Sequence, residues 1–120
     1  AARSVYARPE APLKTPRSIE YDLLARATQR LAAAWVSRKE RFHLLVTALE
    51  ENQRIWLTLA TDVADSGNGL PAKLRAQLFY LYEFTAQHSK VVRDGKGSVE
   101  VLIDINKAVM RGLRGDGGQP

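Results

Sequence analysis

The sequence predicts an all-α fold, a small bundle of about four helices. Three observations carry that prediction. Apolar residues recur at steps of three and four along four separate stretches. No stretch alternates strictly between apolar and polar residues, as a half-buried strand would. Glycine-containing breaks at 65–69 and 94–97 divide the later stretches from one another. The chain has 120 residues, which suits a single hydrophobic core and is too short for two. There are no internal repeats.

Residues 1–14 lack periodicity and contain Pro9 and Pro12, so they read as an extended or disordered arm that Tyr6 and Leu13 could still anchor. Thr15-Pro16 reads as a helix start, with threonine capping and proline in the first turn. Beyond it Ile19, Leu23, Leu24, Ala27, Leu31, Ala34 and Trp35 form one apolar face, and Glu20, Asp22, Arg26 and Arg30 point away. No glycine or proline ends this helix. The internal boundary signal is Ser37-Arg38-Lys39-Glu40, which has capping-box spacing and places a break near residues 36–38. The alternative is one helix from Pro16 to Ala64, about 49 residues and roughly 70 Å long. That length would require a partner chain or a domain swap.

The stretch from Phe42 to Leu81 organises the rest. Phe42, Leu45, Leu49, Asn52, Trp56, Leu59 and Val63 share one helical stripe, in which Asn52 is the polar exception. Asp65-Ser66-Gly67-Asn68-Gly69 stops that helix, and Leu70-Pro71 opens the next, giving a helical hairpin. The third helix, from Pro71 to about Val91, carries Leu74, Leu78, Leu81 and Thr85 on its stripe, flanked by Gln77, Tyr82 and Phe84. Phe79 and Tyr80 lie about 120–140° from the stripe and are surplus to a one-faced core. After the Asp94–Gly97 loop, Ser98 can cap a fourth helix reaching about Leu113. Its apolar face is Leu102, Ile103, Val109, Met110 and Leu113, with Asn106 in their midst. Glycines then break up residues 114–120 into a flexible tail. The organisation is therefore an arm (1–14), a helical domain (15–113) and a tail (114–120).

The formal net charge is +5, but residues 1–17 hold +3 of it, so the helical part is close to balanced. That distribution argues against a large basic face on the folded part. The absence of cysteine excludes disulfide and thiolate chemistry and fits a reducing compartment. No apolar run is long enough to span a membrane, and no charged-then-apolar leader opens the chain, so neither a span nor a signal peptide is expected.

Catalytic and metal-binding arrangements are not expected either. His43 and His88 are far apart in sequence and stand beside no matching carboxylates, so they read as surface or boundary residues. Glu50-Glu51, Asp62, Asp65 and Asp104 are scattered, and neighbours in a helix point in different directions. The loop Gly67–Gly69 precedes a helix N-terminus but lacks a phosphate loop's lysine and threonine, so it reads as a turn. No catalytic residue, cofactor or metal ligand is assigned.

The polar interruptions tell more. Asn52 and Asn106 each interrupt an apolar stripe, and a buried, unpaired amide costs about 1–3 kcal/mol, so each is expected to have a partner. Bonding to backbone or to each other would fix the helix register; a polar slot in a partner groove is the other reading. Trp56 reads as a core tryptophan. Phe79, Tyr80 and Tyr82 are the candidates for a partner-binding face.

Together these residues resemble the flagellar biosynthesis regulator FlaF family. The resemblance rests on Pro16-Arg17-x-x-Glu20-Tyr21, on Ala48-Leu49-x-x-Asn52-x-x-x-Trp56, and on Asp62 five residues before Gly67. It continues through Asn68-x-Leu70-Pro71-x-x-Leu74-Arg75-Ala76-Gln77 and Leu102-Ile103-Asp104-Ile105-Asn106-x-x-x-Met110-x-Gly112-Leu113. It covers about residues 16–113; the Ser66-Gly67 segment, where the family often has proline, and the glycine-rich tail depart from it. The resemblance implies a small cytoplasmic helical protein without catalytic residues or a cofactor. It further implies a flagellin-binding, chaperone-like role in flagellin synthesis and secretion, opposing or acting alongside the repressor FlbT.

Two functions follow as expectations. In the first, the bundle holds an amphipathic helical end of flagellin against Phe79, Tyr80 and Tyr82. In the second, the basic arm with Arg38, Lys39 and Arg41 contacts flagellin mRNA, which would make binding strongly salt-dependent. The lack of a known RNA module and the dispersal of the basic residues favour the first. An enzyme is not expected.

Overall fold

The computed structural model describes residues 16–65 and 67–113. The arm, the Thr15 cap and the tail expected from the sequence lie outside them. Four helices follow in order: α1, Pro16–Val36; α2, Phe42–Ala64; α3, Ala72–Arg93; and α4, Glu100–Leu113. Among the described residues there is no strand. α1 packs on both α2 and α4, α2 also packs on α3, and α3 only brushes α4. α2 and α4 face each other diagonally, with backbones more than 8 Å apart. The register is antiparallel between neighbours. Gln53 reaches Thr85 and Arg75 reaches Val63 across α2 and α3, while Arg30 meets Glu51 across α1 and α2. This is an up-down bundle with short connections.

The break after α1 is real, and the single long helix does not occur. Its chemistry differs from the expectation. Ser37 and Glu40 form no capping box: Arg41 precedes α2 and makes no side-chain cap, and the Ser37 carbonyl accepts the amides of Glu40 and Arg41. What closes α1 is Arg38, whose guanidinium donates to the Trp35 carbonyl at 2.8 Å and lies over the Trp35 ring at 3.8 Å. A basic side chain thus satisfies one of the carbonyls that a helix end leaves free.

The other breaks follow the sequence closely. α2 ends on Asp65, which is extended, and side chains then build the turn. The Asp65 carboxylate accepts the Gly67 amide, the Asn68 amide donates to the carbonyl and carboxylate of Asp62, and the Asn68 side-chain oxygen accepts the Leu70 amide. The left-handed residue is Gly69, at φ 90°. Pro71 stands just before α3 rather than within its first turn, and its carbonyl accepts the Arg75 amide. α3 ends in a Schellman motif. The Gly95 amide bonds to the Val92 carbonyl and the Lys96 amide to that of Val91, with Gly95 at φ 77°. The Ser98 hydroxyl accepts the Glu100 amide at the start of α4.

The core has two lobes. One gathers Leu31, Ala34, Leu45, Ala48, Leu49, Val92, Val99 and Leu102. The other is centred on Leu24, Trp56 and Leu59, with Leu78, Leu81, Tyr82, Val109 and Met110 packed around them. Polar residues from all four helices lie between the lobes: Thr28, Asn52, Thr85 with Ser89, and Asn106, each buried. Four expected stripe residues are largely outside, among them Leu74 on α3. Phe42 begins α2 at the bundle's end, and Ile19 and Leu23 run along a line one residue, about 100°, away from buried Leu24.

Candidate functional site

α3 is the least covered of the long helices, because α2 is its one extensive neighbour. No residue from Ala72 to Phe84 is fully buried. Within this half, Leu74, Phe79 and Tyr80 are 40 %, 41 % and 65 % exposed. Phe79 and Tyr80 face water as expected for residues off the stripe, whereas Leu74, expected on the stripe, is exposed because the start of α3 has little packed against it. The structure brings Phe79 and Tyr82 together, with ring centroids 5.8 Å apart and planes tilted by 50°. Tyr82 is half-buried against the Trp56 lobe, so it tethers Phe79 to the core. Tyr80 is not in that pair. It borders a separate apolar recess of about 500 Å³ lined by Lys73, Ala76, Gln77 and Leu81. The Asp62–Leu70 turn and the Arg75 bond to the Val63 carbonyl, 3.3 Å, fix where α3 starts and hence where this face points.

The interrupted stripes converge. Asn106 donates to the Asn52 side-chain oxygen at 2.7 Å and to the Thr28 hydroxyl at 3.1 Å, and it accepts the Trp56 indole N–H at 2.9 Å. Thr28 passes its own proton to the Leu24 carbonyl at 2.7 Å. The Asn52 amide nitrogen is buried and has no partner. Asn106 is therefore the hub, tying α4 to α1 and α2. Beside it, Gln53 donates to Thr85 and accepts from Ser89, joining α2 to α3. Thr28 and Ser89 escaped the sequence reading because a lone hydroxyl on a helix reads as surface. The one available signal was that Thr28 follows Leu24 by one turn.

Of the basic trio, Arg38 is held against Trp35, while Lys39 and Arg41 are exposed. His43 is exposed; His88 bonds the Ser98 carbonyl at 2.9 Å and stacks on Phe84 at 5.7 Å. Burial pushes the Glu20 carboxyl above its ordinary range, the Asp62 charge adds to this, and Arg17 opposes it. Among the described residues no group of three or more His, Cys, Asp or Glu side chains is placed to hold a metal, and no helix is long and apolar enough to cross a membrane. What the arrangement offers is an apolar surface on a rigid scaffold, suited to binding another chain.

The sequence model of a family described as "Flagellar protein FlaF" matches residues 2–113, so the match extends into the arm as well as covering all four helices. No curated protein and no solved structure matches the chain.

Proposed function

This chain belongs to the FlaF family of flagellar proteins, and we propose on that premise that it is a non-enzymatic, flagellin-binding factor that supports flagellin synthesis and secretion. The observation that carries the reading is the half-covered first stretch of α3, with Phe79 and Tyr80 exposed and Tyr82 packed against Phe79. A helical flagellin end would lay its apolar stripe along this stretch, in the manner of helix-in-groove recognition. Exposed aromatic side chains on a fixed backbone are typical anchors of such contacts. On this reading the protein acts in the cytoplasm, where flagellin is made, alone or alongside FlbT.

The mRNA reading has less support. Arg38 is already engaged with Trp35, which leaves Lys39 and Arg41 of that trio for phosphate contacts. The test is titration of flagellin with the wild-type chain and with Phe79→Ala plus Tyr80→Ala. Both side chains are substantially exposed, so the helical spectrum should be unchanged. Loss of two anchors predicts at least about a tenfold weaker complex. Unchanged affinity in a folded double variant would remove α3 from the account.

A further inference from the structure

A second surface lies along the seam between α1 and α2, and it uses no residue of α3. Two open clefts, of about 380 and 340 Å³, follow one another along this seam. Arg30 and Glu51 line both, and their ion pair, 3.2 Å, crosses the seam as a bar between them. The apolar floor includes Leu23 and Ile55 on one side of the bar and Leu44 on the other. Leu23 and Leu44 are 40 % and 38 % exposed. From Glu20 to Ser37 the seam runs roughly 25 Å along α1, about five helical turns.

The charges on its walls are unequal. Glu51 is already met by both bonds from Arg30. Glu20 is half-buried at one end of the seam, so three arginines face two carboxylates along it. Arg26 on α1 and Arg54 on α2 are exposed, and neither guanidinium is paired with another described residue. One cation without a partner among the described residues therefore stands on each wall, above an apolar floor.

We infer that the α1/α2 seam is a second docking surface, whose occupant is an amphipathic helix of another protein with carboxylates flanking its apolar stripe. The stripe would cover Leu23, Ile55 and Leu44, and the flanking carboxylates would pair with Arg26 and Arg54. Charge complementarity of this kind selects partners and sets their orientation. Arg30 can turn from Glu51 to an incoming carboxylate, because an exposed ion pair contributes little, about 0–1 kcal/mol.

The test uses two synthetic helical peptides of roughly 18 residues, identical in their leucine stripe, one flanked by glutamates and its twin by lysines. Each is titrated into the full chain by fluorescence anisotropy, and the contact surface is mapped by backbone amide shifts. The glutamate peptide should bind about tenfold or more tightly than the lysine twin, and the preference should fall with salt. Shifts should centre on Leu23, Arg26, Leu44, Arg54 and Ile55. Arg26→Gln plus Arg54→Gln should erase the preference while leaving the helical spectrum unchanged.

Equal affinity for the two peptides, or binding of neither, overturns the inference. Shifts centred on Phe79 and Tyr80 also overturn it, while leaving the flagellin proposal standing. A concentration-dependent dimer abolished by Leu23→Asp would instead assign the seam to a second copy. Nuclear Overhauser contacts between residues 1–15 and Leu23 or Ile55 in the free chain would assign it to this chain's own arm.

Discussion

Asn106 and Asn52 are bonded to each other and equally buried, yet their replacement by leucine should have unequal consequences. Leucine is the apolar residue closest to asparagine in shape, so it removes hydrogen bonds with little change in volume. Asn106→Leu strips the Trp56 indole N–H of its acceptor and the Asn52 oxygen of its donor, and Asn52 then has no partner at either end. Thr28 is spared, since it still donates to the Leu24 carbonyl. Two buried groups left unsatisfied, at about 1–3 kcal/mol each, predict a loss of about 2–6 kcal/mol. Asn52→Leu behaves differently. It leaves one buried Asn106 N–H without its acceptor, but it also deletes a buried nitrogen that has no partner, so the two effects largely offset. Asn106 keeps Thr28 and Trp56. Its cost should stay within about 1 kcal/mol. Urea unfolding followed by circular dichroism gives both values, and in a domain of this size each kcal/mol moves the Tm by about 4–8 °C. Equal costs for the two variants, or a larger cost for Asn52→Leu, would refute Asn106 as the hub.

Other perturbations test single elements. Gly95→Ala places a side chain at φ 77° in space that holds no neighbour within 4 Å, so its effect is purely conformational. A loss of about 1 kcal/mol in urea unfolding is expected, and no loss would show that the turn can relax. Glu20 carries a sign that depends on pH. Its carboxyl titrates above the ordinary 4.5 in the folded chain, so the fold binds its proton more tightly than the unfolded chain does. Stability from this group is therefore fully present below that value and is lost as pH rises through the folded pKa. Glu20→Gln should be the more stable form at neutral pH, with the difference closing below 4.5. A difference that widens on acidification would contradict the assignment. Because the side chain is only partly buried, the effect should be small.

Much of this architecture is legible in the residues because local chemistry decides it. The Leu45-to-Val63 stripe, the Gly95 turn and the Ser98 cap each need particular residue types at particular positions, and each forms as the pattern predicts. The exposure of Phe79 and Tyr80 is legible for the same reason, since both lie off the only stripe α3 needs to bury. What is hidden depends on packing. Leu23 and Leu24 are adjacent in sequence and equally apolar, and only the packing of α2 and α4 on α1 makes Leu24 the buried one. Thr28 is visible as a core residue only once Asn106 arrives from a helix 78 positions away. The Ser37–Glu40 spacing misleads because the turn is settled instead by Arg38 on Trp35, a contact that no cap pattern encodes. The α1/α2 seam, with an exposed arginine on each wall, likewise appears only when two helices are laid side by side.

The central proposal is that this FlaF-family chain holds flagellin through the exposed face of α3. The most direct test is co-purification with flagellin from the same organism, with the mass of the complex read by light scattering. The account predicts a complex of defined ratio that survives moderate salt and disappears with Phe79→Ala plus Tyr80→Ala. A chain that elutes alone, or that carries nucleic acid in place of flagellin, would contradict it.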